Sequence, residues 1–113
     1  MNIRSKLNLQ KLKQSRNMAK SKTQFRLTIL SPKNLVFESD ITSLFIVGDR
    51  CEYELLAYHY PLVGLVKEGD IIIDWKHKIP IRSGILRFFA NECTILIEET
   101  ENTIASAQKP VAV

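Results

Sequence analysis

Tyr58, His59, Tyr60 and Pro61, within the stretch "LLAYHYPLVG", are the densest group of chemically capable side chains in the sequence. Two phenols and an imidazole on a chain stiffened by proline could serve catalysis, hold a ligand, or present large amphipathic side chains to another protein. Nucleophilic catalysis needs a Ser, Cys or Thr beside the histidine and a third group to orient it. Cys51 stands eight positions before His59, with no local signature around it. Zinc needs three or four ligands, and the two histidines and two cysteines are dispersed, with His77 expected to be solvated between Lys76 and Lys78. Glu52 with Glu54, and Asp70 with Asp74, are spaced to share one face of a strand, which usually means a solvent face. Acid–base work also needs surroundings that drive the two pKa values apart. Gly48, Gly64, Gly69 and Gly84 form neither a phosphate loop nor a dinucleotide fingerprint. These residues predict no catalytic site, cofactor or metal, and the use of the loop stays open at this point.

The elements that must position this loop read as strands. "FRLTIL" puts Phe25, Leu27 and Ile29 on one face and Arg26 and Thr28 on the other. "LVFES", "ITSLFIVG", "DIIIDWK", "KIPI", "GILRFF" and "CTILIEE" follow. Ser31-Pro32-Lys33-Asn34 and Phe89-Ala90-Asn91-Glu92 read as turns. No dozen residues carry a helical period. Short strands with turn signals every eight to twelve residues predict an all-β fold, a small β-sandwich or flattened barrel of about eight to ten strands. Ile71, Ile73, Trp75, Leu86, Phe88, Ile95 and Ile97 are its core candidates.

The composition bounds the rest. A chain of 113 residues, 45% hydrophobic and 25% charged, supports one globular domain with a modest core. No apolar run approaches the roughly 20 residues of a membrane span. Cys51 and Cys93 are too few for a disulfide scaffold, which favours free thiols and a reducing compartment. The net charge of +4 hides an asymmetry: residues 1–24 carry seven basic and no acidic side chains, whereas residues 25–113 set nine basic against twelve acidic ones, a net of −3. Residues 1–24 therefore read as a basic extension outside the fold, residues 25–99 as the β-domain, and residues 100–113 as a short flexible tail. Three readings of the extension stay open: a disordered tail, a transit-like segment, or sequence upstream of a start at Met18. By charge alone it could bind RNA or an anionic membrane, although it lacks interleaved aromatics for base stacking.

A family resemblance covers about 75 residues. Ser31, Pro32, Val36, Phe37, Glu52, Leu56, His59, Pro61, Leu62, Lys67, Gly69, Gly84, Ile85, Leu86, Asn91, Ile95 and Leu96 fall, in order, on the pattern of the F-type ATP synthase epsilon family. The region resembles the N-terminal β-sandwich of that family. Where the family usually has Gly, Gly, Pro and Gly, this chain has Cys51, Glu54, Ala57 and Tyr58. Glycine permits positive φ that other residues tolerate poorly, so the backbone there is expected to depart from the family shape. The family's C-terminal helical hairpin, which inhibits ATP hydrolysis, is expected to be absent, leaving coupling without that inhibition.

The resemblance implies a non-catalytic rotor subunit of the central stalk, docking the gamma subunit to the membrane c-ring and coupling ion translocation to ATP synthesis. It implies c-ring contacts through Glu52, Glu54, Leu56, Tyr58 and His59, and gamma contacts through Leu62, Val63 and Gly64. It further implies peripheral attachment at the cytoplasmic face of the inner membrane, or an organellar equivalent, with no specific nucleic acid, small-molecule substrate or cofactor. The alternative reading is a free-standing β-barrel that binds RNA or anionic membrane through its basic arm.

Overall fold

A computed structural model describes residues 23–108. Residues 1–22 of the basic extension, with Met18, and residues 109–113 of the tail lie outside them. Eight strands follow in order: β1 (Phe25–Leu30), β2 (Leu35–Ile41), β3 (Ser43–Val47), β4 (Glu52–Leu56), β5 (Leu62–Val66), β6 (Gly69–Ile73), β7 (His77–Phe89) and β8 (Glu92–Glu99). They form one open sheet in the order β2-β1-β8-β7-β6-β3-β4, with β5 also on β7. All pairs are antiparallel except β1 with β8. The all-β expectation holds.

β7 makes this one sheet into two faces of a core. Its first half pairs with β6, from Gly69↔Ile81 to Ile73↔His77. Its second half pairs with β5, from Leu62↔Phe88 to Val66↔Gly84, and with β8 on the other edge. A register shift between Ile81 and Ser83 separates the halves; such a bulge bends a strand and raises its twist. The segments "KIPI" and "GILRFF", expected as two strands, are thus one bent strand. Leu27, Ile29, Leu86, Phe88 and Ile95 join Leu44, Ile46, Leu55, Ile71 and Ile79 in a single buried cluster. Gly84 keeps the bend tight, because a Cβ there would sit 2.9 Å from the Leu96 carbonyl oxygen.

Four expectations change. Trp75 is not core but 60% exposed. Strand alternation stops at Ile73, where Lys76 N–H donates to Ile73 C=O and both Asp74 (φ 53°) and Trp75 (φ 59°) turn left-handed. That sign pattern belongs to a type I′ hairpin turn. Asp74 is accordingly no strand partner of Asp70: its Oδ1 accepts from Thr42 N–H (2.7 Å) and Ser43 N–H (3.0 Å), holding the β2–β3 corner.

His77 is buried rather than solvated, and the expected flexible tail begins as a helix, α1 (Thr103–Gln108). α1 packs on β7 and β2. Thr103, fully buried, donates to the Pro80 carbonyl (2.6 Å) and accepts from Thr100 N–H (2.8 Å). His77 Nε2 lies 2.7 Å from the Ser106 carbonyl oxygen. A carbonyl only accepts, so Nε2 carries the hydrogen. Phe37 meets the ring edge-on at 5.7 Å. The segment lacks an apolar period because threonine and histidine hydrogen bonds do much of the docking, helped by half-buried Ile104 and Ala107.

The thiols divide by burial. Cys51 is exposed, whereas burial pushes the Cys93 thiol up to about 12. Native protein at pH 8 should therefore take one equivalent of a thiol-alkylating reagent, at Cys51, and two after denaturation, read by intact mass. Cys93 ionises more readily unfolded than folded, near pH 8.5 for an ordinary thiol. Its contribution to stability is thus full below that pH and declines as pH rises toward 12.

Candidate docking surface

β4 presents the first half of the predicted contact set. Leu55 is buried and Tyr53 half-buried, so alternation turns Glu52, Glu54 and Leu56 outward. Glu54 is partly engaged already: Trp75 Nε1–H donates to its Oε2 at 2.6 Å, and the indole packs against Phe45 with centroids 5.3 Å apart. Trp75, assigned to the core by sequence pattern, belongs instead to the surface beside β4. Tyr53 lies under this strand, and a Cβ at Gly64 would come 3.3 Å from its hydroxyl. Burial raises the Tyr53 phenol pKa, with Cys93, Asp49 and Cys51 adding to the effect.

The loop from β4 to β5 supplies the rest. Tyr58 has φ 64°, so a tyrosine takes the left-handed conformation here, and it is the one of the four Gly/Pro replacements to do so. Its N–H donates to the side-chain Oδ1 of Asn91 at 2.7 Å. His59 Nδ1–H donates to the Tyr60 carbonyl at 2.8 Å, and the ring stands edge-on to buried Phe88 at 5.8 Å. The histidine is held by backbone and core, in an arrangement that shapes the loop rather than activating a nucleophile. Tyr58 and Tyr60 are left 63% and 84% exposed, beside exposed Phe89.

The predicted gamma-contact residues fall on β5. Val63 is exposed, Leu62 and Gly64 are partly covered, and Gly64 makes room for Tyr53. The structure adds residues that sequence reading missed. On the outer face, Leu65 pairs with Ile85, Ile85 with Leu96, Leu96 with Leu30, and Leu30 with Leu35. These five aliphatic side chains form a row across five strands, and all but half-buried Leu30 are exposed. One signal could have found them. "GILRFF" and "CTILIEE" carry apolar residues at both parities, which is unusual for a strand with one wet face.

Among the described residues, no helix is long and apolar enough to cross a membrane. The described surface offers an acidic, aromatic loop corner and an aliphatic outer face, both suited to protein contact.

Comparison with known proteins gives these surfaces a context. A family model described as "ATP synthase, Delta/Epsilon chain, beta-sandwich domain" matches residues 24–103. The chain is similar to the ATP synthase epsilon chain of a Nitratiruptor species, 32% identical over 77 residues, covering 65% of this chain and 60% of that one. It is also similar to the ATP synthase epsilon chain of Chlorobium limicola, 27% identical over 86 residues, covering 73% of this chain and 98% of that one. The chain thus spans less than two thirds of the first relative and nearly all of the second. Among solved structures, it resembles a chain in the central stalk/c-ring of Tetrahymena thermophila mitochondrial ATP synthase. The TM-score is 0.56 at 11% identity, covering 66% of this chain and 63% of that one. That likeness is one of fold.

Proposed function

Because the chain belongs to the family of the ATP synthase delta/epsilon chain β-sandwich domain, we propose that it is a non-catalytic rotor subunit docking the gamma subunit to the c-ring. Ion flow that turns the ring would then be transmitted through this domain to ATP synthesis. The single observation that carries this reading is the loop corner: Tyr58 and Tyr60 stand largely in water on a loop held from below by Phe88 and Asn91. Large, stiff aromatics exposed on a fixed backbone are costly to leave wet and well suited to anchoring a partner.

In this reading Glu52, Glu54, Leu56, Tyr58 and His59 face the c-ring loops, where the two carboxylates complement basic side chains. Leu62, Val63 and Gly64 sit at the gamma-facing edge, and the row from Leu65 to Leu35 extends that contact across the sheet. A close-packed apolar core suits a part that must hold its shape under torque. Attachment to the membrane is peripheral, through the complex, at its cytoplasmic face.

The test is recovery of partners from detergent-solubilised host membranes on the tagged full chain, read by mass spectrometry. Gamma and c subunits should be recovered together. Recovery of RNA alone, in a salt-sensitive manner, would favour the basic-arm alternative and overturn the rotor reading.

A further inference from the structure

We infer that Asn91 is the positioning residue of the docking loop: its side-chain amide fixes the backbone of Tyr58 and ties it to the start of β1. The inference rests on the docking reading for its consequence, though not for its geometry. Asn91 lies in the two-residue turn between β7 and β8, where Ala90 (φ 51°) and Asn91 (φ 61°) are both left-handed. Such a turn asks only for residues that tolerate positive φ, and glycine meets that need as well as asparagine. The turn therefore does not account for the side chain.

The contacts account for it. Oδ1 accepts from Tyr58 N–H at 2.7 Å, and Nδ2 donates to the Gln24 carbonyl at 2.9 Å. The backbone carbonyl of Asn91 accepts from Arg26 N–H at 3.2 Å. One partner is a pure donor and the other a pure acceptor, so the orientation of the amide follows from chemistry. A single residue thus ties its own turn to segments 33 and 67 positions away. Tyr58 needs such a tie. A tyrosine at positive φ is in a disfavoured conformation, and the bond that Asn91 makes to its N–H offsets part of that cost. Relaxation to negative φ would swing the phenol away from the corner it shares with Tyr60 and Phe89.

Two substitutions in the full chain separate the side chain from the turn. Asn91→Gly keeps the turn and deletes both side-chain bonds. Asn91→Asp keeps an acceptor for Tyr58 and loses the donor to Gln24. With Asn91→Gly, cooperative thermal unfolding should persist, while exchange of the Tyr58 amide accelerates about tenfold and binding to the isolated c-ring weakens by about the same factor. Asn91→Asp should restore Tyr58 protection and ring binding only in part, because its second carboxylate oxygen faces the Gln24 carbonyl where the amide had donated. Unchanged Tyr58 exchange in Asn91→Gly, or an Asp variant as impaired as the Gly variant, would overturn the inference. Faster exchange with undiminished ring binding would overturn the docking role of the loop and leave the tie itself intact.

Discussion

Phe88→Ala is expected to lower the free energy of unfolding by about 3–5 kcal/mol, whereas Phe89→Ala, one position away, should cost about 1 kcal/mol or less. The two residues share side-chain type and strand, and differ in which way the pleat turns them. Phe88 is fully buried, with its ring 5.3 Å from Phe25 and 5.8 Å from His59. Phe89 is 54% exposed and lies under the Arg87 guanidinium, 5.6 Å from its ring centroid, an exposed contact worth about 0.5–1 kcal/mol. Removing Phe88 leaves a cavity between β1, β7 and the docking loop that a close-packed core refills only in part. Domains of this kind have about 5–15 kcal/mol in total, so the loss is a large share of it. Chemical denaturation monitored by Trp75 fluorescence measures both variants. Similar losses at the two positions would mean that the assigned strand parity of β7 is wrong.

The second large effect concerns docking. Tyr58→Ala should weaken c-ring binding by about 30-fold or more, as loss of an anchoring aromatic does. Glu52→Ala should cost only a few-fold and reduce the salt dependence, because an exposed rim charge chiefly sets approach and register. Tyr58→Gly separates anchoring from folding. It removes a left-handed strain of about 1–2 kcal/mol and adds chain entropy of about 0.5–1 kcal/mol, leaving stability near that of the parent. Its binding should nonetheless fall as far as that of the alanine variant. Titration of the solubilised c-ring against each variant gives the ranking. A larger loss for Glu52→Ala than for Tyr58→Ala would remove the aromatic corner from the interface.

Legibility differed by residue rather than by region. The strand alternation of Phe25, Leu27 and Ile29, and the turns at Ser31–Asn34 and Ala90–Asn91, followed from sequence because turn chemistry and period are local. The same period misplaced Trp75 by running one turn too far. Among the glycine replacements, only Tyr58 met the left-handed geometry that glycine favours, and a distant asparagine holds it there. The pairing of Glu54 with the Trp75 indole joins residues 21 positions apart, and no motif announces it.

By itself, the sequence determined the class of fold, the family and the parity of the inner face, since apolar residues at period two can be buried only by a sheet. Tertiary structure alone decided what covers each surface. Whether His77 is wet depends on α1 lying over it, and whether Ile85 and Leu96 are core depends on what stands across from them. Burial and hydrogen-bond partnership are properties of pairs brought together by strand register. A chain read one residue at a time holds those pairs only implicitly, and folding makes them explicit.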